Sequence, residues 1–236
     1  MRGRLGLLLM ALIAGACGGD PEGAEPSKMP RPKVRTCLPP EGFDGMPSTV
    51  EELVDLINAL PRPVTVPCLL ETFDRPLELN ATSNTFSAQP AFGPNNPRIF
   101  IFREELIVAV VTKGEARPLV ELGEMRSPTR SVKSEIEFPV TEELSHAAPY
   151  DRLTEEQPDL DGTKCGFCHI GESLDTEIDI TDAYVSSIVR PPPSTVVDLD
   201  YLMWSYEGCD PDTEPDRCAM FDSIFAHGEV VYRPLP

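Results

Sequence analysis

Positive charge is scarce in this chain: 20 Lys and Arg stand against 39 Asp and Glu, with three His, for a formal net charge of −19 at pH 7. Such a surface repels phosphate, which excludes nucleic acid as a partner and favours a basic one through long-range steering. Long apolar runs are missing too. The run over residues 5–13 is too short to cross a bilayer, which takes about 20 residues as a helix. The first half holds no repeat, no phosphate-cradling glycine loop and no Gly-x-Ser-x-Gly elbow, and it nominates no active site. Hydrophobic residues are not scarce; at 41% they suffice to fill a core, which argues against wholesale disorder.

Twenty-six prolines predict many short elements joined by turns. Residues 18–47, rich in Pro, Gly, Glu and Lys without apolar periodicity, read as a flexible tether. A capping box of Ser48 and Glu51 then opens a helix carrying Val50, Leu53, Val54, Ile57 and Leu60 on one face, and Pro61 stops it. Strands are expected over residues 64–70, interrupted by Pro67, and over 98–102 and 106–112, a hairpin about Arg103-Glu104-Glu105. Val132, Ser134, Ile136 and Phe138 alternate with Lys133, Glu135 and Glu137, the pattern of a strand with one wet face. Past a soft boundary near residue 150, a helix over 215–227 begins at Pro215, buries Met220, Phe221, Ile224 and Phe225, and ends at Gly228. The fold class is therefore α+β: a β-rich domain over 48–150 with one helix, then an irregular, helix-containing half over 151–236.

The chemistry is concentrated in Cys165-Gly166-Phe167-Cys168-His169. Two cysteines three apart lie about one turn from each other, so both sulfurs can reach one edge of a porphyrin, and the next residue falls beneath the ring. The stretch resembles the haem-attachment site of c-type cytochromes. That resemblance implies heme c held by thioethers at Cys165 and Cys168, with His169 as proximal iron ligand, and makes 151–236 a c-type haem domain. It also calls for a distal ligand, for which Met220, Met203, His146 and His227 are the candidates. Met220 has the sequence distance common in small monohaem cytochromes, yet it also sits on an apolar helical face, where core packing is the competing role. Phe167, Ile170, Ile188, Trp204, Phe221 and Phe225 are available to line a haem pocket.

The N-terminus begins with Arg2 and Arg4, continues with the short apolar run, and reaches Ala14-Gly15-Ala16-Cys17. It reads as a cleaved signal and resembles a bacterial lipoprotein signal. The resemblance implies loss of residues 1–16, lipid on Cys17, and attachment to a membrane of the bacterial cell envelope through that anchor, with 17–47 as tether. Assigning Cys17 to lipid and Cys165 and Cys168 to haem leaves four cysteines. Cys209 with Cys218, and Cys37 with Cys68, would give each half one disulfide. The other two pairings of these four stay open, as does a Cys165–Cys168 disulfide without haem.

Competing uses of the motif are weaker. No second Cys-x-x-Cys or His-x-x-x-His completes a four-ligand zinc site, and the loop-like Asp159-Leu160-Asp161-Gly162 does not supply the strand a thioredoxin-like dithiol follows. Asp210, Asp212, Glu214 and Asp216 imitate the start of a calcium loop but lack its glycine and closing glutamate, and read as a solvated acidic loop. Two functions compete. One is a lipid-anchored monohaem protein that passes electrons to a basic redox partner in the envelope. The other is a haem-free envelope lipoprotein whose disulfide-tied domain binds a partner or has a structural role. An enzymatic role such as a peroxidase lacks a catalytic base.

Overall fold

The structure, a computed structural model, describes residues 33–155 and 162–236. The signal over residues 1–16 and the lipidation site Cys17 lie outside the described residues.

The first helix, α1 (Val50–Ala59), buries Val50, Leu53, Val54, Leu56 and Ile57. Its cap lies one residue later than the sequence suggests. The side chain of Thr49, whose backbone is extended, accepts from the Glu52 N–H, and the Glu52 carboxylate accepts from the Ser48 N–H and hydroxyl, each at 2.7 Å. These bonds, the Ser48 backbone N–H first, hold Glu52 below the usual carboxylate range. The segment expected as a strand over 64–70 is instead mostly helix, α2 (Val66–Thr72). Thr65 caps it by accepting from the Cys68 N–H, and Pro67 occupies the first turn, where a missing N–H costs nothing. The proline that looked like an interruption is a helix start. Only Val64 keeps an extended pairing, with Val140.

The strands are β1 (Leu77–Thr82), β2 (Arg98–Arg103), β3 (Leu106–Val111), β4 (Leu119–Ser127), β5 (Arg130–Glu137), β6 (Ser173–Leu174), β7 (Tyr184–Ser187) and β8 (Val230–Tyr232). They form one sheet in the order β6-β7-β5-β4-β3-β2-β1-β8, antiparallel except for the β1–β8 pair. The expected hairpin is β2–β3, turning through Glu104 at a φ of 44°. The remaining helices are α3 (Ala148–Glu155), α4 (Leu199–Glu207) and α5 (Pro215–Phe225).

One face of the sheet is apolar. Leu79, Ile101, Val108 and Leu122 form a cross-strand row on it, packed in one core with α1, α2 and α5. Strands from beyond residue 150 join both ends of the sheet, and Phe221 and Ile224 share the core with Leu53 and Ile57. The boundary drawn near residue 150 thus falls inside α3, and the two halves hold one core in common.

The tether expected to run to residue 47 is packed against the body from Lys33 onward. Cys37 is disulfide-bonded to Cys68, Lys33 pairs with Asp222 at 2.5 Å, and the Glu71 carboxylate accepts from the N–H groups of Thr36 and Cys37 at 2.7 and 2.9 Å. These anchors come from distant residues, so local composition carried no sign of them.

Candidate functional site

The other face of the sheet carries polar and small residues. Cross-strand register sets Glu121 of β4 opposite Glu135 of β5, and Gly123 opposite Lys133. Two like charges directly opposed repel. Here each is neutralised by a different cation: Glu121 pairs with Arg98, and Glu135 with Arg152 at 2.6 Å and Lys164 at 3.3 Å. Gly123 has no side chain to fill the space above it. A cavity of about 200 Å3 results, walled by Phe100, Ala109, Gly123, Lys133, Cys165 and His169 among others. The wet face expected of β5 is therefore only partly wet: Glu137 is exposed, but Glu135 is buried and Lys133 half-buried, because α3 and the cysteine segment fold over them.

That segment is a single tight turn, Lys164–Phe167, whose cap is Thr163: its hydroxyl accepts from the Cys165 N–H at 3.1 Å. The turn continues with the N–H groups of Cys168 and His169 both donating to the Cys165 carbonyl, at 3.1 and 2.9 Å. Cys165 and Cys168 consequently stand one turn apart, as their spacing predicts. Glu172 ties the loop shut, accepting from the Thr163 N–H at 2.7 Å and its hydroxyl at 2.6 Å. Gly162 sits at a φ of +127°, and a Cβ there would lie 2.4 Å from the Glu172 carboxylate, so glycine is needed on both counts.

The two thiols are free and unlike each other. Cys168 is exposed, whereas burial pushes the Cys165 thiol up to about 11. His169 donates from Nδ1 to the Ser187 carbonyl across 2.8 Å; a carbonyl only accepts, so the proton sits on Nδ1. Burial, aided by the positive Lys133, lowers His169 to about 4, and the ring is neutral at physiological pH. Nε2 is then left as a lone pair. Burial also lowers Lys133 to about 8, and its ammonium donates to the Ser131 hydroxyl.

The donor set fits a covalent haem. Two free thiols one turn apart and a neutral imidazole with its second nitrogen tied to a carbonyl are what such a group requires of a protein. The cavity alone lies below the roughly 300 Å3 at which ligand pockets begin. Further apolar surface for a porphyrin is present beside it in Phe167 and Ile170, which are 72% and 73% exposed.

The other expected residues are dispersed. Cys37–Cys68 and Cys209–Cys218 are the two disulfides among the described residues. Met220 is 2% exposed in the core on α5, and it does not line the cavity; neither do Met203, His146 and His227. Met203 packs at the edge of the core, His146 pairs with Asp55 at 2.8 Å, and His227 donates from Nδ1 to the Lys33 carbonyl at 3.1 Å and faces Glu71. Ile188 lines the cavity, whereas Trp204 is exposed on α4 and Phe221 and Phe225 belong to the core. In the acidic loop, Glu214 pairs with Arg217 and Asp216 with Arg117, which leaves no convergent set of carboxylates.

Arg98, Glu121, Gly123 and Lys133 escaped the sequence reading. Lys133 stood in an alternating strand with charges on one side, the usual mark of solvent, whereas Arg98 opened an apolar run and no strand was expected over the segment of Glu121 and Gly123; nothing local showed that a later segment covers them. Comparison of the chain with protein-family models, with curated proteins and with solved structures finds no match.

Proposed function

We propose that this chain is an exported, lipid-anchored protein that carries one covalent haem on Cys165, Cys168 and His169 and passes electrons in the bacterial cell envelope. The observation that carries the reading is the His169–Ser187 bond, which sets the proton on Nδ1 and orients the ring with Nε2 available as a metal ligand, while burial keeps the imidazole neutral. When bound, such a haem supplies one-electron chemistry whose potential depends on its axial ligands and surroundings. Thr163 and Glu172 fix the turn that spaces the two thiols, and Lys133 and Arg98 place positive charge at the cavity in an otherwise acidic chain. The net charge of −19 suits a basic redox partner. Two disulfides fit an oxidising compartment, in keeping with the signal and with lipid on Cys17. Met220 is committed to the core, and the reading assigns no distal ligand to it.

The haem-free alternative is favoured by one observation: the core around Phe221, Ile224 and the sheet draws on none of Cys165, Cys168 and His169, which line the cavity on the other face. Expression of the full chain with haem-attachment machinery separates the two. Haem that stays with the denatured polypeptide, with a pyridine haemochrome band that shifts in Cys168→Ala, is the expected result. A wild-type mass without haem would overturn the haem reading and leave an envelope lipoprotein of binding or structural role.

A further inference from the structure

We propose that Lys133 is an anion receptor and that the cavity on the outer face of the sheet takes a carboxylate carried on an apolar body. In a chain with nearly twice as many acids as bases, a covered lysine would be expected to find a carboxylate. Among the described residues Lys133 has none within 4.0 Å, and its ammonium meets only the Ser131 hydroxyl. The acids around it are already engaged: Glu121 by Arg98, Glu135 by Arg152 and Lys164, and Glu172 by Thr163. Arg98 adds a second unsatisfied donor, since its Nε is buried without a partner. A partly buried cation without a counter-ion carries a desolvation cost, and such groups gather at sites where a ligand supplies the missing charge.

The rest of the cavity is suited to the ligand's other end. Phe86, Phe100, Ile107 and Val189 contribute apolar wall, and Gly123 opens the floor opposite Lys133, where an added Cβ would meet nothing closer than the Ser131 hydroxyl at 3.6 Å. At about 200 Å3 the space suits a small molecule or one arm of a larger one. Two sources carry this chemistry: a free short-chain carboxylate, or a propionate of the haem. The second rests on the function proposed above; the first does not.

The test has two arms. In the first, the full chain made without haem-attachment machinery is titrated with hexanoate and, as an uncharged control, with hexanol, by calorimetry. Hexanoate binding that weakens at least about tenfold in Lys133→Met, with hexanol unaffected, and that is lost in Gly123→Val, identifies a free carboxylate as the ligand. In the second, protein shown by mass to carry haem is compared with its Lys133→Met variant by redox potentiometry across pH. A Lys133-dependent shift of the propionate-linked pH dependence, without hexanoate binding in the first arm, assigns the receptor to the haem. Equal hexanoate affinity in wild type and Lys133→Met, or no hexanoate binding together with no Lys133-dependent shift, overturns the proposal. If no haem attaches, the proposed function fails and the first arm alone decides.

Discussion

His169 Nδ1 lies 2.8 Å from the carbonyl oxygen of Ser187, the last residue of β7, so a side chain in a loop is oriented by the backbone of a strand 18 residues later. The bond fixes a tautomer as well as a position. In 15N-edited spectra His169 is expected to show a protonated Nδ1 and an unprotonated Nε2, and to stay neutral from pH 8 down to about 5, since burial lowers it to about 4. A ring that titrates near pH 6.5, or that carries its proton on Nε2, contradicts this geometry.

Lys133 destabilises the fold at neutral pH. Its folded-state value of about 8 lies below the roughly 10.4 of an unfolded lysine, so between those limits the unfolded chain binds more protons and stability contributed at this residue rises with pH. Below about pH 8 both states are protonated and the full penalty, roughly 3 kcal/mol at about 1.4 kcal/mol per pH unit, is present. Lys133→Met is expected to gain roughly 2–3 kcal/mol in urea unfolding at pH 7, with the gain vanishing by about pH 10.5. Cys165 works in the opposite direction at alkaline pH, because burial raises its thiol to about 11. Lys133 and Cys165 also act on each other, so the gain at pH 7, where the thiol is protonated in both states, is the clean measure of Lys133 alone.

Alkylation should separate the two thiols of the motif. Cys168 is exposed, while Cys165 is covered and holds its proton to about pH 11. Iodoacetamide at pH 7.5 is expected to label Cys168 at least about tenfold faster than Cys165 in haem-free protein, read by peptide mass spectrometry. Equal rates would mean that the turn over the sheet opens freely.

The two disulfides should differ in what they contribute. Cys37 and Cys68 are 31 residues apart, and Cys209 and Cys218 only 9 apart. Loop-closure entropy then gives about 3.7 kcal/mol for the first and about 2.6 for the second. Paired Cys→Ser substitutions, compared by chemical denaturation, should follow that order. Loss of the first should also free residues 33–37 to proteolysis, although Glu71 still holds the N–H groups of Thr36 and Cys37.

Much of the framework was legible in the residues. The helical stripe from Val50 to Ile57, the β2–β3 hairpin, the apolar face of α5 and the α+β class all follow from period and propensity, which act over a few residues. The strand expected over 64–70 failed for an equally local reason. β-branched residues around Pro67 suit a strand, but Thr65 as cap and proline in the first turn suit a helix better, and the buried positions of Leu69 and Leu70 go with the helix.

By itself the sequence determined the one-turn spacing of Cys165 and Cys168 and the residue that follows them, while the pairing of the other four cysteines was decided by the fold, which brings Cys37 to Cys68 and Cys209 to Cys218. Only the tertiary structure decided what surrounds that turn. Cross-strand register placed Gly123 opposite Lys133, the covering segment removed water from a face that alternation marked as wet, and core packing withdrew Met220 from the motif. The physical reason is range: propensity and capping are settled among neighbours in the chain, whereas burial, register and the charge felt by a lysine depend on residues that only folding brings together.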